Sequence, residues 1–527
     1  MRSKRRLELE GQFHGGGFQR ELKLVSVFCL LVITAAWAGG GMGDWHSASA
    51  ATTRTWIGAA SNSYWSSPTN WSPTGAPVDG DAVGFNAATT DSNQYNDLGY
   101  FDLIHNRFVP LRLSSLTLNK GVLLVGNRLA VTSSIVVGAS PIEPTLNLPV
   151  ELAGNVQIFV ANGSTLQMWS GGFATGTIAI DTVGHSLTKT GGGVLAVNED
   201  LAGGGTFTTS GGTTLFRYEV SFGGNIAMGG GTSLKFAPGP LITASGPGPC
   251  GAPGAAVTLA GANLSTKCDT FLGSIAGAGA IDLSDPLARL TITVTGETFD
   301  GPISGGSAAK FNCCALGVQT LRGSSTFNGN VVVTGGSTLL LEGATFPASS
   351  AFTVRGQGSF QAELGGFGTF GTTVMTVARL SLESINGKFG FGRFPQLLLG
   401  PDVLVAYEIK SGTPGSGFTQ LVTTDKVDID GALLQLDFGN YIPSAGQSFS
   451  LIKGFTTGTF RNFADGKSLA EGAFFTTSGM QFKISYNGDA EDVVITRQGG
   501  TSTPTPSPTS PTQFKNKRIL PGLARDN

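Results

Sequence analysis

Histidine beside carboxylate is the pattern to look for first, since it could serve acid–base chemistry on a polysaccharide. His185, in Gly184-His185-Ser186, has Asp181, Lys189 and the pair Glu199-Asp200 as its titratable neighbours in the chain. A lyase or hydrolase needs clustered carboxylates, or an Arg/Lys base, on one face. Adjacent Glu199 and Asp200 point to opposite faces of a strand, so a turn would have to bring them together. Loop residues are the better reading here, and the only other histidine beyond the leader, His105, does not change it.

Asp428 and Asp430 in KVDIDG stand two apart and would share a sheet face. Such a pair can bind calcium if carbonyls complete a shell of six to eight oxygens; a solvated face before the turn at Gly431 is the plainer reading. Asn487-Gly488-Asp489 with Glu491 and Asp492 resembles a calcium-binding G-G-x-G-x-D turn, but that motif works by stacked repetition and occurs here once. An Asn-Gly hairpin turn accounts for it. Gly366–Gly371 spells G-x-G-x-x-G, yet the β-branched TTVMTV that follows is no helix start. No G-x-S-x-G, H-E-x-x-H or Walker sequence occurs. No cofactor or metal is therefore expected.

Trp56, Trp65 and Trp71 lie among Ser, Asn, Pro and Gly, outside any long regular element. Two roles suit them: shielding the open end of a stack of strands, or stacking on sugar rings. Of the five cysteines, Cys29 belongs to the leader; Cys250, Cys268, Cys313 and Cys314 remain, with three pairings open. A Cys250–Cys268 bridge within one Gly/Pro-rich excursion is favoured. Cys313 and Cys314 would then form a vicinal bridge or stay thiols. Without C-x-x-C or a nearby histidine, zinc is a poor reading.

The elements that must position these residues are strands. Glycine makes up 79 of 527 residues, charged residues are 13% and apolar residues 40%, which argues for an all-β chain and against charge-rich disorder. A net charge of −2 and pI near 6.1 leave no electrostatic footprint for nucleic acid. Arg2, Lys4, Arg5, Arg6 and Lys23 precede the apolar run Leu24–Trp37, and Ala48-Ser49-Ala50 offers a cleavage site. This reads as an export signal rather than a membrane span, from a start downstream of Met1 or as an extended leader; an uncleaved anchor is the alternative.

From Leu111 onward short β-rich runs recur, bounded by turn residues about every eight to twelve positions. Leu321–Gly343, LRGSSTFNGNVVVTGGSTLLLEG, is typical: VVV and TLLLE flank a Gly-Gly turn. The style persists for about 290 residues, which predicts stacked coils of roughly 20–25 residues, about a dozen in number, burying small aliphatics. Ser114-Ser115 interrupts an even leucine spacing and predicts a bend. An array of β-sandwiches is the competing architecture.

Leu187–Leu195, LTKTGGGVL, resembles the L-T-K-x-G-x-G-x-L opening of the autotransporter-associated β-strand repeat, and Phe327–Leu341 resembles its continuation. The head Trp56–Phe85, W-x-G…W…N-W…G-x-P-x-x-G-D-x-V-x-F, and the region Tyr407–Thr496 are similar to the first and last modules of exported bacterial proteins that carry these repeats. The resemblance implies a secreted or surface-exposed right-handed parallel β-helix, usually without assigned activity. It departs at the end: no barrel-length region follows Thr496, so a passenger-like solenoid without its own translocator is expected.

These readings give a signal peptide over 1–50, a Trp-rich cap over 51–110, a β-solenoid over 111–400 and a compact all-β module over 401–497. A Pro/Thr/Ser linker with a basic tail occupies 498–527. The expected role is an exported structural or adhesive element at the cell surface or outside the cell, without catalysis. Its partners would be extracellular polysaccharide or envelope components, with no nucleic acid and no membrane span once the signal is removed. The alternatives are a carbohydrate-active enzyme on a β-helix, or a glycan-binding module using Trp56, Trp65 and Trp71.

Overall fold

A computed structural model describes residues 51–86, 93–119, 121–139, 143–170, 178–218, 220–238, 249–293, 296–313, 317–488 and 492–499. The chain divides into two units, Met1–Ala50 and Ala51–Asn527. The leader, Cys314 and the Pro/Thr/Ser segment lie outside the described residues.

Three short strands make one coil of the second unit. Val150–Leu152, Val156–Val160 and Thr165–Trp169 are followed by Ile178–Asp181, Leu187–Thr190 and Val194–Val197, each parallel to its counterpart one coil earlier. Repetition of this step builds three ladders. Two are joined through bent strands into a 34-stranded sheet, and the third is an 11-stranded sheet. The chain is a parallel β-solenoid. Only one short 3-10 turn, Pro68–Asn70, is helical among the described residues.

Side chains alternate along each strand, so in-register stacking lines identical faces up into columns. In the third ladder Leu166, Leu195, Thr214, Leu234, Leu264, Ile281 and Ile303 are successive register partners, all buried. Each buried aliphatic contributes about 1.5–3 kcal/mol of transfer free energy, so the column makes a core without layers. Aromatics share it: Phe216 stacks on Phe236 at 5.6 Å, and Phe370 on Phe394 at 4.3 Å. The interior is therefore less purely aliphatic than the glycine-rich sequence suggests, because rings on neighbouring rungs can stack at the rung spacing.

The bend expected at Ser114-Ser115 is a register shift between Leu113 and Ser115, where Leu111–Leu118 turns a corner against Leu129–Val137. Partners on neighbouring coils stand as close as 16 residues, at Glu363 and Arg379, and typically 20 to 25, as at Cys250 and Thr270 and at Thr338 and Glu363. Inserted loops lengthen this to 31 at Gln167 and Asn198. The third ladder also continues beyond its 11-stranded sheet, through Thr345, Thr369, Arg393, Val422 and Lys453. The stack thus exceeds a dozen coils.

The ends are closed differently from the middle. Thr53–Trp56 is parallel to Ala82–Phe85, which is parallel to Leu111–Leu118, so the Trp-rich head supplies the first rungs itself. Trp71–Ser72 then runs antiparallel along Thr53–Trp56. At the other end parallel rungs continue past residue 400, through Gln420–Asp428 and Leu433–Asp437 to Asn462. The antiparallel strands Phe474–Thr477, Met480–Ser485 and Val493–Arg497 finish on Ser448–Lys453. Parallel rungs thus run on into the terminal region before the antiparallel strands begin. The reason is that the ladder needs no new sequence style until its last edge must be covered.

Candidate functional site

The repeat motif itself explains one buried charge. Lys189 belongs to an inward column, between Ile158 on one rung and Thr209 on the next, and its side chain is fully buried. Its Nζ donates to the carbonyls of Gly191 (2.7 Å), Gly193 (2.6 Å) and, one coil on, Gly211 (2.5 Å). Burial pulls its pKa down to about 8. The glycines are required sterically: a Cβ at Gly193 would collide with the carbonyls of Ala161 and Ser164, and Gly212 takes φ +68°. L-T-K-T-G-G-G thus encodes a staple between two turns, not a reactive lysine.

The head motif is equally structural. Trp56, Trp65 and Trp71 are 0–1% exposed; Trp71 packs edge-on against Trp56, Trp65 and Phe85, while Trp56 and Trp65 lie tilted on Phe85, with ring centroids 5.0–5.9 Å apart. The Nε1–H of Trp71 donates to the Trp65 carbonyl at 2.9 Å. Buried rings offer no face to a sugar, which corrects the glycan-stacking alternative for these three residues. Asn70 is buried and holds the loop through Ala60 N–H (2.7 Å) and the carbonyls of Asn62 and Tyr64. Asp81 accepts from Thr52 N–H (2.9 Å), Val78 N–H (3.1 Å) and Arg54 Nε (2.6 Å). Exposed aromatics do occur next door. Tyr64 and Tyr95 pair on the outer surface at 5.8 Å, across the bridge that continues the third ladder.

Cys250 and Cys268 are bridged, buried between neighbouring rungs. Cys313 is also disulfide-bonded, so it is no free thiol.

The other chemistry-bearing residues do not converge. His185 closes the turn at Thr182 through its backbone, and Asp181 caps Val183 N–H of the same turn. Glu199 accepts from Ser170 N–H and Asp200 from Ser221 N–H and Oγ, so each carboxylate clasps a different neighbouring rung. His105 faces Asp102 at 2.6 Å on an exposed hairpin. Asp428 ends a strand while Asp430 sits in the turn at φ 38°, so they do not share a strand face. Gly488 lies in the connection between antiparallel strands; Asp489 and Glu491 lie outside the described residues. Among the described residues no group of His, Cys, Asp and Glu could hold a metal ion.

Carboxylates converge elsewhere, on the outer face of the second ladder. Register places Thr338, Glu363 and Arg379 in one outward column and Leu340, Gly365 and Ser381 in the next. Beside these columns lies a hollow of about 230 Å³, lined by Glu363, Gly366, Ser381, Glu383 and Ile385. Arg379 is shared by the two glutamates, 3.6 Å from Glu363 and in direct contact with Glu383. Burial pushes the Glu363 carboxyl above its usual range, against the pull of Arg379. The rim loop is an antiparallel bridge between Ile385 and Lys388, with Asn386 and Gly387 at positive φ. Two carboxylates anchor it. Burial raises Glu342, but Arg322 (2.8 Å) and Lys388 (3.1 Å) more than offset this and hold it low. Glu408 likewise is held low by Lys410 and Ser384 despite burial. Sequence reading missed this site because its members come from successive coils; glutamates spaced at the coil length, Glu342, Glu363 and Glu383, were the available signal.

Fold and sites together define a capped parallel β-solenoid whose recognisable motifs serve construction. No family model and no curated protein matches the chain. Among solved structures, the Haemophilus influenzae Hap adhesin is similar, with 9% identity and a TM-score of 0.25, over 80% of this chain and 63% of that one. The chain spans less than two thirds of that structure's length, and so slight a likeness says nothing about role.

Proposed function

We propose that the protein is an exported structural or adhesive scaffold of the cell surface, of the kind that carries autotransporter-associated β-strand repeats. The observation that carries this reading is what the motif residues do. Lys189, Asp81 and the three tryptophans are all spent on holding rung to rung or closing the first coil. A sequence that repeats such residues specifies length and surface, with envelope components or extracellular polysaccharide as the expected partners. Fractionation of the native cells, with protease applied to intact cells, tests it: the protein should be found in medium or envelope and be digested from outside. Recovery in the cytosol would overturn the reading.

One observation favours a second, enzymatic reading: the hollow with Glu363 and Glu383. A carboxyl pushed up by burial beside an ion-paired carboxylate has the ingredients of glycoside hydrolysis. This reading expects release of reducing ends from a polysaccharide panel, and at least about a hundredfold loss in Glu363→Gln. No release from any polymer leaves the scaffold alone.

A further inference from the structure

The hairpin of Tyr100–Asp102 and Arg107–Val109 belongs to neither large sheet; its two strands pair with each other alone. At its tip stand Leu103 and Ile104, 86% and 89% exposed, the two most exposed large apolar residues described. Tyr100 and Phe101 behind them are 62% and 53% exposed. Tight loops ordinarily take Gly, Asn, Asp or Ser, for conformational reasons. Here those reasons are met by other residues. The Asp102 carboxylate accepts from Ile104 N–H (3.0 Å) and His105 N–H (3.3 Å) and faces His105 Nδ1 (2.6 Å), while Asn106 takes φ 50°. The loop would close as well with serine at 103 and 104. An apolar pair that the fold does not use, placed where water contact is greatest, breaks a local rule without structural return.

We propose that this hairpin is a membrane-interface anchor, with Leu103 and Ile104 entering the acyl boundary of a bilayer and Arg107 meeting headgroup phosphate. The order of side chains along the hairpin suits that medium. Aliphatics lead, two aromatic rings follow at the level where Trp and Tyr gather in bilayers, and a cation lies beside them. Charge complementarity selects an anionic surface. Asp102 is turned inward to His105 and the loop amides, whereas the exposed Arg107 forms no ion pair among the described residues. The hairpin is too short to span. It adds a hold on lipid to the scaffold reading, and its test uses purified protein and vesicles, so it can fail while cell-surface location stands, and the reverse.

The test is flotation of the unit Ala51–Asn527, a compact body with its own core, with vesicles of phosphatidylcholine, alone or with roughly one third phosphatidylglycerol. The unit should float with the anionic vesicles. Leu103→Ser/Ile104→Ser should bind at least about tenfold more weakly, since each side chain gives up its transfer free energy. Arg107→Gln should lose the preference for anionic over neutral vesicles. Circular dichroism and thermal midpoint of all variants should match the parent, because the replaced side chains are exposed. A parent unit that stays with the soluble fraction, or a double variant that floats equally well, overturns the proposal. So does a parent dimer that becomes monomeric in the double variant without any flotation, which would assign the tip to a second copy.

Discussion

Trp65→Ala should unfasten the first coils while leaving the far end of the stack intact. Trp65 is fully buried, its ring lies 5.6 Å from Trp71 and 5.7 Å from Phe85, and its backbone carbonyl receives the Trp71 indole N–H. Removing so large a buried ring costs about 3–5 kcal/mol. In a stack whose backbone ladders join each coil to its neighbours the cost stays local. Hydrogen exchange should therefore quicken at Thr53–Trp56 and Ala82–Phe85, with little change beyond Leu433–Asp437. The freed edge should also promote association, because its N–H and C=O groups seek a partner strand. Tyr64→Ala, one residue away but half exposed, is the control and should cost under about 1 kcal/mol. Equal exchange in Trp65→Ala and the parent would show that the tryptophans do not close the coil.

Lys189 should give the stack a pH dependence of unusual sign. Burial depresses its pKa to about 8 from an ordinary 10.5. Below pH 8 folded and unfolded chains are both protonated there, and the folded chain bears the whole cost of a buried ammonium. Between 8 and 10.5 the unfolded chain holds the proton that the folded chain has released, so stability rises with pH. The slope approaches 1.4 kcal/mol per pH unit, or on the order of 3 kcal/mol over the window. Lys189→Met lacks the group, so the parent-minus-variant difference in unfolding free energy isolates it from the tyrosines and other lysines. That difference should grow from pH 8 to 9.5. A difference that stays flat would mean that the carbonyls of Gly191, Gly193 and Gly211 hold the ammonium at least as firmly as burial expels it.

Much of the architecture was legible because β-solenoids repeat their physical constraints. Glycine at turns, strand-length apolar runs and the Ser114-Ser115 interruption each marked a real feature of the coil. Lys189 was legible as part of a motif but not as a buried group, since nothing in a linear sequence says that three carbonyls from two coils will meet one ammonium. Tyr407–Thr496 differs in style, yet its first strands still add parallel rungs. Function was harder to read. Short-range spacing drew attention to Glu199-Asp200 and Asp428/Asp430, which the fold sends to separate partners. The hollow beside Glu363 joins side chains from successive coils. Leu103-Ile104 carried a signal that was available, an apolar pair between Asp102 and His105-Asn106 in a turn.

Because the backbone ladders join each described coil to the one before and the one after it, with only a few side chains reaching further, chain length is decoupled from foldability. A duplication or loss of one whole coil changes the reach of the molecule by a fixed increment and leaves both terminal closures as they were. Evolution can lengthen such a protein by copying a cassette, without solving a new packing problem. Variation in reach between descendants is thus the change this architecture tolerates most readily.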